Sequence, residues 1–64
     1  MTDIITAKDK LNCAKRELAF RKRVYPHYRA SGKMSAGRMV HEIACIEAMI
    51  HDYEIAVEEE KRHG

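Results

Sequence analysis

The sequence predicts an all-α fold, an antiparallel two-helix hairpin that dimerises into a four-helix arrangement. Three observations predict it. The first is a pair of heptad ladders. Ile4, Ala7, Leu11, Ala14, Leu18, Arg21, Tyr25 and Tyr28 form one, and Ala36, Met39, Ile43, Ile46, Ile50, Tyr53 and Val57 the other. Both step by alternating threes and fours, which keeps one stripe turned toward a partner helix. The second is the single break between them, from Tyr25-Pro26 to Gly32 and Ser35. The third is size. The 64 residues hold one small domain, 1–64, and a lone hairpin of this length leaves its apolar stripes partly uncovered. Chains this small usually add a disulfide, a metal or a second subunit, and a homodimer of hairpins is the expectation here.

Helix 1 is expected over about 3–25, with Thr2 or Asp3 as cap and a further turn to 30. Pro26 leaves two alternatives. Either the helix continues through a kink to Ala30, or it stops and a short helical turn starts with Pro26 at its first position. Gly32 suits a left-handed stop. Ser35 is the expected cap of helix 2, over about 36–60. No Val/Thr-rich alternating run suggests a strand. The expected core and dimer residues are Leu11, Leu18, Met39, Ile43, Ile46, Ile50 and Tyr53.

Each helix carries a second, weaker apolar stripe. On helix 1 it is Cys13, Phe20 and Val24, flanked by Ala19. On helix 2 it is Val40, Ala44, Cys45, Ala48, Met49, Ile55 and Ala56. A dimer interface explains such stripes, and a groove for a foreign protein is the alternative, for which flexible Met side chains are suited. Cys13 and Cys45 are expected as free buried thiols in a reducing cytoplasm, with an inter-helix or intersubunit disulfide as the other reading.

Charge is segregated although the net value is only +2. Residues 8–38 hold ten basic and two acidic side chains, and residues 39–64 two basic and seven acidic. Antiparallel packing is expected to bring Lys8, Lys10 and Lys15 near Asp52, Glu54, Glu58 and Glu59. Each exposed pair would contribute only ~0.2–1 kcal/mol, but together they favour this register. Residues 21–41 contain six Lys or Arg and no acid, with Tyr25, His27 and Tyr28 among them. Tyr and Arg are enriched at interface hot spots, so this tip is the expected partner-binding surface. Its residues are Arg21, Arg23, Tyr25, Tyr28 and Arg29, with Phe20 and Val24 as an apolar flank. The competing reading is a solvated turn whose tyrosines close the end of the core. Arg21 interrupts the ladder with a charge and needs Glu42, Glu47 or a foreign carboxylate beside it.

Chemistry-bearing motifs are absent from the sequence. His41 and Cys45 have helical metal-ligand spacing, but two ligands do not make a site. Glu47 and His51 read as a surface pair. There is no nucleophile–base–orienter set and no phosphate-cradling loop, so no catalytic residue, cofactor or metal is expected. Nucleic acid is the lesser alternative for the basic tip, because Glu42, Glu47, Asp52 and Glu54 on helix 2 would repel phosphates. No apolar run reaches the roughly 20 residues of a membrane span, and Met1-Thr2-Asp3-Ile4 has no signal-peptide character. A cytoplasmic protein is expected.

Three stretches carry a resemblance. They are Glu17-Leu18-Ala19-Phe20-Arg21-Lys22-Arg23-Val24-Tyr25-Pro26, then Gly32-Lys33-Met34-Ser35, then His41-Glu42-Ile43-Ala44 through Asp52-Tyr53. Together they resemble small phage and prophage proteins with an E-L-x-x-R-x-x-V-Y-P … G-K-M … E-I-A-x-x-E-A-I-x-x-D-Y pattern, over about residues 16–54. The pattern is also similar to a phage anti-quorum-sensing group, dimeric helical hairpins that bind and block host proteins. The resemblance implies a phage protein that inhibits a bacterial host protein, such as a transcriptional or quorum-sensing regulator. His27-Tyr28 stands where that pattern has an Arg-containing pair.

Overall fold

The computed structural model describes residues 4–63, and side chains as far as Arg62. Helix α1 (Ala7–Ala30) and helix α2 (Ala36–His63) run antiparallel, and there is no strand among the described residues. The molecule measures 47 × 27 × 13 Å between Cα extremes, so it is a single layer of two helices. Both broad faces of that layer lie open.

The start of α1 is set by Thr6. Its backbone is extended (φ −90°, ψ 166°), and its Oγ1 accepts from the Asp9 amide at 3.1 Å. Asp9 Oδ2 accepts from the Thr6 amide at 3.1 Å, completing a reciprocal capping box. These bonds from Thr6 hold the Asp9 carboxyl below its ordinary pKa. The next free amide, that of Ala7, donates to Glu60 Oε2 at 2.9 Å, from the far end of α2. The helix thus begins later than expected. Thr2 and Asp3 lie outside the described residues. Ile4, expected as the first rung of the ladder, is 88% exposed, because the chain there is still outside the helix.

Pro26 lies inside α1, and the helix continues to Ala30, the first of the two alternatives. Proline removes the donor for the Lys22 carbonyl, and Pro26 is exposed, where water can serve that carbonyl. The helix ends in a Schellman arrangement. Lys33 N–H donates to the Tyr28 carbonyl at 2.8 Å and Gly32 N–H to that of Arg29 at 3.1 Å. Gly32 has φ +80°, the left-handed conformation this ending requires. Ser35 caps α2, its Oγ accepting from the Arg38 amide at 3.1 Å.

The packed seam follows the ladders. Ala7, Leu11 and Ala14 of α1 and Ile46 of α2 are buried. Leu18, Met39, Ile43, Ile50 and Tyr53 are half-buried, and Ala36, at the start of α2, is exposed. Small alanines at two of the α1 positions let the helix backbones approach closely where burial is greatest.

Two expectations are corrected. Cys13 and Cys45 are free but exposed, because a single hairpin covers only the ladder stripe and both thiols lie on the second stripes. The ion pairs expected of Lys8, Lys10 and Lys15 do not form. Among the described residues the pairs are Arg21–Glu17, Lys22–Glu47 and Lys61–Glu58. Only Lys22–Glu47, at 3.8 Å, joins the helices. The three lysines are all exposed, and Glu58 is engaged by Lys61 on its own helix.

Candidate partner-binding tip

The tip is built from the last three turns of α1, the turn, and the first turns of α2. Arg21 organises it. Its Nε donates to Glu17 Oε1 at 3.0 Å, and its Nη1 donates to the Glu42 backbone carbonyl at 2.8 Å, across to α2. Its guanidinium carbon lies 5.9 Å from the Tyr25 ring centroid. The bond to Glu17 pushes the Arg21 pKa up, against a smaller opposing effect of desolvation. The carboxylate beside Arg21 is therefore Glu17, one turn back. Glu42 serves it through its carbonyl, and Glu47 pairs with Lys22 instead of with Arg21 or His51.

Tyr25 and Tyr28 are half-buried and stacked, with centroids 5.9 Å apart and ring planes at 29°. Lys33 Nζ lies 5.9 Å from the Tyr28 centroid. Arg21, Tyr25 and Tyr28 thus form one closing layer at the end of the seam. The rest of the expected site lies elsewhere. Phe20 is 41% exposed with the Arg23 guanidinium 6.0 Å from its ring centroid, Val24 is half-buried and Arg29 is exposed. The structure therefore separates Arg21, Tyr25 and Tyr28, in the closing layer, from the exposed Phe20, Arg23 and Arg29, and leaves Val24 half-buried.

The outward set is strongly cationic. Among the described residues, no carboxylate lies within ion-pair distance of Arg23, Arg29, Lys33 or Arg38. All four are exposed on a platform fixed by the Schellman turn, the Ser35 cap and the Arg21 layer. Such a surface can offer bidentate hydrogen bonds to carboxylates or phosphates and aromatic edges to apolar groups.

Two further features lie outside the tip. Cys45 Sγ sits 3.4 Å from His41 Nε2, and no group of three metal-ligating side chains occurs among the described residues. An open groove of about 500 Å³ runs between the helices on one broad face, lined by Cys13, Ala14, Ile46, Met49 and Tyr53. Sequence reasoning did not assemble this groove. Cys13 and Met49 were visible in the second stripes, but the periodicity did not show that Ile5 and Lys10 would join them. Neither a family model, nor a curated protein, nor a solved structure matches the chain.

Proposed function

We propose that this chain is a non-catalytic protein-interaction module. Two hairpins pair into a four-helix arrangement, and the tip binds a carboxylate-bearing surface of another protein. The supporting observation is that Arg23, Arg29, Lys33 and Arg38 are exposed with no carboxylate partner among the described residues, beside the stacked Tyr25–Tyr28 pair. Preorganisation matters here, because a fixed platform loses little side-chain and loop freedom on binding. The resemblance to phage proteins makes the proposed partner a bacterial host protein, such as a transcriptional or quorum-sensing regulator, which the bound module inhibits in the cytoplasm.

The outward residues carry the test. Tagged wild type and an Arg23→Ala, Arg29→Ala variant are used for affinity capture from bacterial lysate, with and without nuclease. The expected result is nuclease-resistant capture of one host protein by wild type, lost in the variant while circular dichroism shows unchanged helicity. Capture abolished by nuclease would transfer the tip to nucleic-acid binding, a reading that the same four cations favour. Capture retained by the variant would remove the tip as the site.

A further inference from the structure

The two broad faces of the hairpin differ. One carries the apolar groove, where Met49 is 43% exposed and Ile5 closes the terminal end. Val40 lies nine residues before Met49, two and a half helical turns, and so looks to the opposite side of α2. Glu47, seven residues after Val40 and hence on its side, holds the inter-helix pair with Lys22. The groove face thus has an apolar floor of Ala14, Ile46, Met49 and Tyr53 between Lys10 at one end and the Arg21–Glu17 pair at the other, while the opposite face carries the Lys22–Glu47 pair.

Area and charge together name the occupant of the groove face. A folded monomer of 7.4 kDa exposes about 4,200 Å² by the usual size scaling. This chain exposes 5122 Å², about 900 Å² more. A stable interface takes roughly 800 Å² from each partner, so covering one face of each chain removes the excess. The charge argument concerns the rims. Lys10 lines the groove on the α1 side, and Glu59 and Glu60 line its continuation on the α2 side. Lys10 and Glu59 have no ion-pair partner within the hairpin among the described residues. A two-fold axis along the hairpin lays α1 of one copy on α2 of the other, so Lys10 meets Glu59 and Glu60 of the second copy. An axis across the hairpin would lay α1 on α1 and α2 on α2, which takes Lys10 away from Glu59 and Glu60 of the second copy.

We infer that the groove face is where a second copy of this chain docks, with the two-fold axis running along the hairpin and both tips at one end. The inference rests on the pairing proposed above and adds its surface and orientation. The paired form then presents two cationic tips side by side, a bivalent end.

Sedimentation equilibrium at micromolar concentration, with circular dichroism as the folding control, tests the surface. Wild type is expected as two chains, and Val40→Glu on the opposite face likewise. Met49→Glu is expected as one helical chain, its dissociation constant raised at least roughly 100-fold by a buried unpaired carboxylate. Should Met49→Glu lose helicity, Lys10→Glu takes its place. It is expected to weaken pairing, and adding Glu59→Lys to restore it; failure of that rescue overturns the proposed juxtaposition. A single-chain wild type overturns both the pairing and its surface. A two-chain Met49→Glu beside a two-chain wild type overturns the surface and leaves the pairing standing. Orientation is read from spin labels at Ser35→Cys in a Cys13→Ser, Cys45→Ser chain. Label separations below about half of the 47 Å hairpin length are expected, and separations near that length overturn the shared-end arrangement.

Discussion

At the terminal end of the hairpin, Ala7, Leu11 and Ala14 are buried against α2, whereas at the tip Arg21, Tyr25 and Tyr28 stay half exposed. The terminal end is held across the helices by close apolar contact and the bond from Ala7 to Glu60, with the Thr6–Asp9 box acting only within the start of α1. The tip is held by directional interactions throughout: the two bonds of Arg21, the stacked tyrosines and the Schellman turn. The difference has a consequence for function. Apolar contact covers a surface, while directional bonds fix a shape and leave neighbouring groups free. The end fixed by directional bonds is the one where exposed cations stand in a stretch, residues 21–41, that holds no acid.

Substitutions at each end sharpen this contrast. Leu11→Ala, in the buried seam, is expected to cost about 2–5 kcal/mol in chemical denaturation, the largest effect. A cost below that of the tip variants would show that the seam is not the chief source of stability. Arg21→Ala should cost about 1.5–3 kcal/mol, through the charged bonds lost at Glu17 and the Glu42 carbonyl. Arg21→Lys should recover only part of this, since an ammonium lacks the planar fork that serves both acceptors. Gly32→Ala meets open space, so its expected cost of about 1–2 kcal/mol is that of the left-handed backbone alone. A neutral result would mean the turn relaxes to another form.

The smallest expected change is at the cap, where Thr6→Ala should cost about 1 kcal/mol. That difference should also depend on pH. Asp9 has a depressed pKa in the folded chain, so its contribution is present above the unfolded carboxylate value and is lost as pH falls through the folded one. The gap between wild type and Thr6→Ala should therefore narrow at acid pH by the share of the Thr6 hydroxyl, without closing, because the variant keeps the residue-6 amide that donates to Asp9. Parallel pH profiles would show that the hydroxyl gives the Asp9 carboxylate no support.

The ladders were legible in the sequence because a repeat of threes and fours has one geometric meaning. Gly32 and Ser35 were legible for a similar reason, since few residues suit a left-handed stop or a helix cap. Other features depended on competition among alternatives. Thr2, Asp3 and Thr6 are all plausible caps, and the reciprocal bond from Asp9 marks Thr6. Pro26 disfavours a helix locally, but an exposed carbonyl at Lys22 is cheap to leave to water, so α1 continues. Of the partners expected for Arg21, Glu42 does meet it, but through its backbone carbonyl, and the carboxylate is Glu17, because counting charges across the hairpin overlooks a nearer acid on the same helix and any backbone acceptor. The thiols were expected inside because apolar neighbours do not reveal which stripe one's own chain covers.

The bond from Ala7 to Glu60 spans 53 residues, nearly the whole chain. Facing residues at the tip are separated by only a handful. Closing a loop becomes entropically harder as it lengthens, so the hairpin is expected to zip from Gly32 outward and to open from the clasp inward. Amide hydrogen exchange should accordingly be fastest at Ala7 and slow toward the middle of α1, a gradient that removal of the last turn of α2 would steepen. Glu60 thus makes the end of the chain the timekeeper for its beginning.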